Sequence, residues 1–249
     1  MLIDTHIHVG QFNHLYFAPS TIHILMEQLG ISYYAVSSTT QCEEDYPKVI
    51  DEIEELIRLD TEKVLPIMWI TPEGLKGNIA WYLESSIKWK MLKIHPFLHK
   101  DIWTPQKGYI EEVVDIAKEL SIPILIHTGI DEYCTARLFE TTIAENPDIV
   151  FVLAHGRPLN DTLRLTRDLH NAYVDSAFMP IDDMMTLLDA NLPHKLLWGT
   201  DMCIPQYFYP DKNMIEYYME KLNGFKSICS KEHFNLVTYK NAAKLFNLR

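Results

Sequence analysis

Residues 122–128 read IPILIHT and residues 149–155 read IVFVLAH, and these two short apolar runs decide the fold. Pro and Asn before such a run, as in the AENPD segment that leads into the second one, are typical of a helix that stops before a buried strand. Six other runs have the same character: MLIDTHIHV (1–9), YYAVSST (33–39), VLPIMWI (64–70), MLKIH (91–95), AYVDS (172–176) and KLLWGTD (195–201). Helical periodicity separates the runs, as in YPKVIDEIEELIRLD (46–60) and GYIEEVVDIAKEL (108–120). Strands that alternate with helices form a parallel sheet.

The number of strands and the lengths of the loops predict a closed α/β barrel. Eight strand–helix units within residues 1–201 are typical of the (β/α)8 or TIM barrel. The alternative is an open doubly wound sheet, which normally has a Gly-rich turn after its first strand, whereas HVGQFNHLYF (8–17) contains one Gly. Long segments follow the strands, for example PFLHKDIWTPQK (96–107), as expected for the rim of an active site. We expect a single domain over residues 1–249, with the barrel at about 1–223 and extra C-terminal helices at about 224–249.

The composition argues against several classes of partner. A formal net charge of −12 is unfavourable for binding nucleic acid, which needs clustered Lys and Arg. The four cysteines are scattered without a CxxC pair, a pattern typical of thiols in a reducing compartment. The N-terminus lacks the basic and apolar regions of a signal peptide, and no apolar run is long enough to span a bilayer. We therefore expect a cytoplasmic protein that acts on a small molecule, with no membrane or nucleic-acid partner.

Polar residues that bear reactive side chains stand in the first strand and at the ends of the later ones. In IDTHIH (3–8), the residues Ile3, Thr5 and Ile7 alternate with Asp4, His6 and His8. This period of two predicts a strand with one apolar and one polar face. Asp4 is expected to support the structure or to orient a neighbouring histidine. The other strand-end residues are Lys93, His95, His127, His155 and Asp201. Because parallel barrel strands end at one opening, these side chains are expected to meet, and imidazoles with a carboxylate favour zinc or a similar transition metal.

Five short motifs and a C-terminal segment resemble the amidohydrolase superfamily, and more closely its amidohydrolase-2 branch. They are DTHIH (4–8), LKIHP (92–96), IHTG (126–129), AHGR (154–157), WGTD (198–201) and NAAKLFNL (241–248). The resemblance implies that His6, His8, His127 and Asp201 hold one divalent metal ion. It also implies that His155 lies beside the ion as a general acid/base or as a group that polarises a carbonyl. At the position of Lys93, some members of the superfamily have a carboxylated Lys that bridges two metals, but in the branch that this sequence resembles the Lys of LKIHP is usually not a ligand, which implies a single metal ion.

The expected function is hydrolysis of a C–N or C–O bond in a small, carboxylate-bearing molecule, with Asp201 as general base. Decarboxylation of a small carboxylic acid without oxidation is the nearest alternative, and a barrel that binds metal or ligand without chemistry is another. Zn²⁺ is the expected ion, with Mn²⁺, Fe²⁺ and Co²⁺ as alternatives. Arg157 is a candidate to bind the substrate carboxylate, because a planar guanidinium can donate two parallel hydrogen bonds to it. Lys93 and His95 are candidates to share substrate binding. Aromatic residues in the first and last rim loops are candidates for a pocket wall, for loop packing or for a homodimer interface.

Overall fold

A computed structural model describes residues 1–77, 79–98, 102–105 and 109–248. Its centre is a sheet of nine strands in the order β2-β1-β3-β4-β5-β6-β7-β8-β9. The strands are β1 (Ile3–Phe12), β2 (Leu15–Phe17), β3 (Tyr33–Ser38), β4 (Val64–Trp69), β5 (Met91–Ile94), β6 (Ile124–His127), β7 (Phe151–Ala154), β8 (Ala172–Asp175) and β9 (Leu196–Leu197). All neighbouring pairs from β1 and β3 through β9 are parallel. The eight predicted strands are confirmed.

Backbone contacts between β1 and the chain after β9 close the ring of strands. Thr5 N donates to Trp198 O at 2.8 Å, Asp201 N donates to His6 O at 2.8 Å, and Ile7 forms an isolated parallel bridge with Met202. Together with the parallel order of the other strands, these bonds give the predicted TIM-barrel fold. They also fix the position of Asp201 directly beside His6 in β1.

The first rim segment differs from the expected loop. Leu15–Phe17 forms the short strand β2, which pairs antiparallel with Gly10–Phe12 at the end of β1. Asn13 makes the turn possible with φ at 53°, because Asn tolerates the left-handed conformation better than most residues. The segment GQFNHLYF (10–17) therefore extends β1 into a hairpin at the expected position of the rim.

Helices surround the barrel in the described part of the chain. They are α1 (Pro19–Gln28), α2 (Tyr46–Leu59), α3 (Pro72–Gly77), α4 (Ile79–Leu83), α5 (Ile110–Leu120), α6 (Glu140–Glu145), α7 (Leu159–Asp168), α8 (Ile181–Asp189), α9 (Pro205–Phe208), α10 (Met214–Ile228), α11 (Lys231–Asn235) and α12 (Asn241–Leu245). The Asp45 side chain caps α2 by accepting from Lys48 N, and the Asn213 side chain caps α10. Within these described helices there is none with the length and apolar character needed to cross a bilayer.

Side chains alternate between the barrel interior and the layer under the helices. On β6, Leu125 packs with the interior residues while Ile124 and Ile126 pack in the helix-facing core. His127 follows Leu125 by two positions and therefore points into the barrel at its C-terminal end. Phe246, which follows α12, packs against the same interior residues.

An irregularity in β1 sets the direction of its histidines. Ile3 packs in the barrel interior, whereas Ile7 and Val9 pack in the helix-facing core, and the register against β3 shifts between Asp4 and Ile7. A strictly regular strand would have put Ile3 and Ile7 on one face, so the predicted period of two was wrong across this segment. A β-bulge commonly redirects a side chain near a functional site. Here the shift leaves His6 and His8 facing the barrel interior.

Candidate metal centre and active site

Three predicted metal ligands meet at the C-terminal end of the barrel. His6, His8 and Asp201 each offer a ligand atom within 4.8 Å of the others, and all three residues are buried. Asp201 Oδ1 lies 2.8 Å from His8 Nε2 and 3.3 Å from His6 Nε2. This oxygen is fully buried and has no hydrogen bond of acceptable geometry within the described chain. A buried, unsatisfied carboxylate oxygen between two imidazole nitrogens is a donor set that fits a divalent metal ion.

The protonation states at this group are those that a metal requires. Burial lowers the pKa of His8 to about 3, and the charge of Lys93 acts in the same direction. Burial raises the pKa of Asp201, but the nearby imidazoles of His6 and His8 outweigh it and hold this pKa well below its usual range. His8 is therefore neutral and Asp201 ionised near neutral pH, as metal ligands must be.

Partners on the far side of each imidazole fix its tautomer. His6 Nδ1 lies 2.8 Å from Oδ2 of Asp175, and His8 Nδ1 lies 3.0 Å from Oγ of Ser37 and 3.3 Å from its carbonyl oxygen. Asp175 and the Ser37 carbonyl can only accept from these nitrogens, so Nδ1 carries the hydrogen and Nε2 carries the lone pair in both rings. Burial raises the pKa of Asp175, but His6 outweighs it and keeps this carboxylate ionised. Sequence reasoning missed Asp175, although its place at the end of the AYVDS strand was a signal that could have found it.

Lys93 lies inside this group rather than at its edge. Its Nζ is 2.9 Å from His6 Nε2 and 3.0 Å from His8 Nε2, and it lies 4.4 Å from the centroid of the Trp69 ring. Burial lowers the pKa of Lys93 to about 8, against the opposing effect of Asp201. The residue that the sequence suggested for substrate binding is thus in direct contact with two candidate metal ligands.

The other histidines form a second row beside the first. His127 lies outside the group of three, and its Nδ1 is 3.0 Å from His155 Nε2. His155 Nδ1 lies 3.0 Å from the carbonyl oxygen of Ala177, which fixes the hydrogen on that nitrogen and leaves Nε2 to accept from His127. The lone pair of His127 is consequently on Nε2. His95 stacks on His127 with ring centroids 3.7 Å apart.

Burial keeps His127 and His155 neutral. It lowers the pKa of His155 to about 4 and that of His127 well below its usual range. His155 and Asp201 both have positive φ angles, 68° and 60°, in a region that residues other than glycine rarely adopt. The Asp201 backbone is held by its bond to His6 O, and His155 N donates to Asp175 Oδ1 at 2.9 Å. Strained backbone that is held by such bonds is a common feature of active sites.

Residues 3–248 match the sequence profile of the amidohydrolase family. The chain belongs to that family. No protein with a curated function matches this amidohydrolase by sequence.

Solved structures share the fold of this amidohydrolase at low sequence identity. An uncharacterised TIM-barrel protein from Bordetella bronchiseptica is 13% identical, with a TM-score of 0.75 over 99% of this chain and 98% of that one. 5-Carboxyvanillate decarboxylase from Novosphingobium aromaticivorans, solved with bound manganese, is 10% identical, with a TM-score of 0.73 over 100% and 97% of the two chains. 4-Oxalomesaconate hydratase from Rhodopseudomonas palustris is 11% identical, with a TM-score of 0.70 over 100% and 96%. At these identities the likeness concerns the fold alone.

A cavity of about 340 Å³ opens onto the candidate metal centre of the amidohydrolase. The predicted residues His8, Lys93, His95, His127, His155, Arg157 and Asp201 all line it. Its aromatic walls are Phe12, Trp69, Phe97, Phe178, Phe208 and Tyr209. Three of these come from the rim segments noted in the sequence, whereas the neighbouring Tyr207 packs on Phe12 with ring centroids 5.3 Å apart. The cavity is a small, mostly aromatic chamber whose lining includes the cationic side chains of Lys93 and Arg157.

Arg157 is positioned in this cavity by both its backbone and its side chain. Its N–H donates to Thr128 Oγ1 at 3.0 Å, and Nη2 donates to the Phe178 carbonyl oxygen at 3.1 Å. A guanidinium has five N–H donors, so this bond leaves donors for another acceptor. Asp4 has a different role, because its carboxylate accepts from Thr200 Oγ1 at 2.6 Å and from His6 N at 3.1 Å. These bonds connect the start of β1 to the end of the barrel, which makes Asp4 a structural residue.

Proposed function

We propose that this amidohydrolase is a metal-dependent hydrolase that cleaves a C–N or C–O bond, in an amide, lactone or ester, of a small carboxylate-bearing molecule. The observation that carries the proposal is the unsatisfied, buried Asp201 Oδ1 between the Nε2 atoms of His6 and His8. Without a bound ion, the burial of this unsatisfied oxygen would lower the free energy of unfolding, because no partner compensates for the lost hydration. Buried polar groups without partners are often found where a protein binds an ion or carries out catalysis.

The residues that would hold the ion are His6, His8, His127 and Asp201. The fixed tautomers support His6 and His8, whose Nε2 lone pairs lie beside Asp201 Oδ1, and the family resemblance adds His127, which lies outside that group of three. When bound, a divalent ion supplies Lewis acidity, which makes water a stronger acid and polarises a carbonyl oxygen. Zn²⁺ is the ion we propose, and Mn²⁺, which the 5-carboxyvanillate decarboxylase contains, is the first alternative.

The chain's own side chains would handle the proton and the substrate. Asp201 is ionised and is placed to accept a proton from the attacking water and later to return it to the leaving group. His155 is neutral, and its Nε2, which accepts a hydrogen bond from His127, is a second position that would take up a proton during the reaction. Arg157, which lines the cavity, would bind the substrate carboxylate with its remaining N–H donors. The aromatic walls would exclude water from the reacting bond.

Decarboxylation is the second candidate, and the shape of the cavity favours it. Six aromatic side chains line a volume of about 340 Å³, which suits a single planar ring. A decarboxylase with the same fold acts on 5-carboxyvanillate. The same Arg157 would then hold the carboxylate that remains or the one that leaves.

A substrate panel separates these reactions. Purified protein loaded with Zn²⁺ or Mn²⁺ is incubated with lactones, amides, esters and ring carboxylic acids, while acid release and CO₂ are measured in parallel. The proposed hydrolase releases acid without CO₂, and Asp201→Asn lowers this rate by about 10²–10⁴-fold. Asp189→Asn, a change at an exposed position of α8, is the control and leaves the rate unchanged. Release of CO₂ would contradict the proposed hydrolysis and support decarboxylation. A metal-loaded protein that turns over no substrate of the panel would contradict both proposals.

A further inference from the structure

We propose that the ammonium group of Lys93 is a built-in occupant of the metal centre, which an incoming ion must displace from His6 and His8. The inference rests on the proposed metal-dependent function and concerns the state of the site before the ion binds. It assigns Lys93 a positioning role that neither substrate binding nor bridging of two metals describes.

The argument begins with the number of lone pairs that the two imidazoles offer. A neutral imidazole has one nitrogen that donates and one that accepts. Asp175 and Ser37 fix the hydrogens on the Nδ1 atoms, so each ring has a single lone pair, on Nε2. Lys93 Nζ takes both, at 2.9 Å from His6 and 3.0 Å from His8. The same lone pair cannot accept a hydrogen bond and ligate an ion, so the two cations exclude one another.

The charges around the site explain why an ammonium would be kept there. The carboxylates of Asp175 and Asp201 are both buried and lie 2.8 and 3.3 Å from the ring nitrogens of His6. A buried carboxylate without a nearby cation is costly. Lys93 supplies that cation and is itself only 2% exposed. It would keep the two histidines and Asp201 together in the arrangement that the ion later uses.

The displaced side chain has a place to go. Lys93 lines the cavity of about 340 Å³, on the side where Trp69 and His95 also contribute to the wall. The ammonium group of a lysine lies at the end of a flexible chain of four carbons, so it can move without a change in the backbone conformation. Release of Lys93 from the imidazoles would put a cation in the substrate cavity when the ion binds. Metal binding and anion binding would then favour one another.

The test compares Zn²⁺ affinity in wild type and in Lys93→Met by calorimetric titration at constant pH. If Lys93 holds the two imidazoles in about 90% or more of the metal-free molecules, its removal lowers the apparent Kd by about 10-fold or more. Lys90→Met is the matched control, because Lys90 is exposed just before β5 and its replacement leaves the Kd unchanged. An equal or weaker affinity in Lys93→Met would overturn the proposal, and a weaker one would make Lys93 a group that supports the ion.

A second measurement needs no variant and covers the case in which Lys93→Met does not fold. A crystal structure of the Zn²⁺-loaded wild type is expected to show Nζ farther than about 3.5 Å from both Nε2 atoms. Retention of either contact would contradict the proposal. Failure of the proposed function is distinguishable, because in that case neither wild type nor Lys93→Met binds Zn²⁺, and both proposals fall together. Wild-type binding with Nζ in place would remove the Lys93 proposal alone.

Discussion

His6 Nδ1 lies 2.8 Å from Oδ2 of Asp175, and this contact orients the first imidazole of the candidate metal centre. The other oxygen of Asp175 accepts from His155 N and Ala177 N, both at 2.9 Å. One buried carboxylate therefore positions a proposed ligand and the backbone of a proposed proton acceptor. Carboxylates behind ligating histidines raise the basicity of the ring and fix its direction.

Replacement of this carboxylate is expected to weaken metal binding. In Asp175→Asn the negative charge behind His6 is lost, and Zn²⁺ affinity falls by about 10–100-fold. Calorimetric titration measures the change, with the exposed Asp189→Asn as control. An unchanged affinity in Asp175→Asn would show that His6 does not bind the ion or does not depend on this partner.

Arg157→Lys tests carboxylate recognition. The lysine keeps the positive charge but loses the fork of N–H donors that can contact two carboxylate oxygens. We expect KM for the carboxylate substrate to rise by about 10-fold while kcat changes little, because the lost interaction belongs to binding. Steady-state kinetics give both values, and Arg167→Lys, at an exposed position of α7, provides the baseline. A loss confined to kcat would instead assign Arg157 to the chemical step.

Gly10→Ala tests how the first rim hairpin is held in place. Gly10 has a φ of 95°, and an added Cβ would lie 2.5 Å from both Glu52 Oε2 and Thr40 Oγ1. Those atoms cannot easily move, because the buried Glu52 carboxylate accepts from Thr40 at 2.9 Å and from Ser38 at 2.6 Å. The free energy of unfolding is expected to fall by about 2–4 kcal/mol.

Urea denaturation of the glycine variants supplies the comparison. Gly77→Ala is the control, since a Cβ at Gly77 meets no atom within 4 Å and its φ is not positive. This control is expected to change the free energy of unfolding by less than about 0.5 kcal/mol. Equal stability of Gly10→Ala and wild type would contradict this prediction, because it would mean that the side chains around Glu52 can shift without loss of stability.

Lys195 has a lowered pKa, which predicts that the free energy of unfolding depends on pH. It is buried before β9 and donates to the carbonyl oxygens of Leu169 and His170. Burial lowers the pKa of Lys195 from 10.5 to about 8, and Lys244 acts in the same direction. Between these two values the unfolded chain binds more protons than the folded one, so this residue makes stability rise with pH. The contribution is complete above 10.5 and is lost as the pH falls through about 8.

The difference in unfolding free energy between wild type and Lys195→Met isolates this effect. Urea denaturation at several pH values from 7 to 10.5 should give a difference that changes in favour of wild type as the pH rises. Lys240→Met, an exposed lysine, should give a difference that stays constant. A flat difference for Lys195→Met would contradict the lowered pKa.

The strands and the first group of candidate ligands could be predicted because both have local signals. Apolar runs identify β6 and β7 directly, and parallel strands place their carboxyl ends at one opening. His6, His8 and Asp201 follow from that rule without knowledge of side-chain geometry. The family resemblance was carried by the same strand ends, which explains why it extends over residues 3–248.

The missed features depend on contacts between distant residues. Asp175 is one carboxylate at the end of a short strand, and its importance comes from His6, 169 positions away. The position of Lys93 between two imidazoles depends on which rotamer the surrounding rings allow. The register shift in β1 comes from its pairing with β3 and with the chain after β9, so no alternation in IDTHIH could reveal it.

The metal content of the purified protein tests the central claim most directly. After loading with Zn²⁺ and dialysis, elemental analysis of wild type should find about one equivalent of metal per chain, and His6→Ala combined with Asp201→Ala should find less than about 0.2 equivalents. His170→Ala, at an exposed position, should retain the wild-type content. Wild type below about 0.2 equivalents, or equal metal content in the double variant, would contradict a metal centre built on His6, His8 and Asp201.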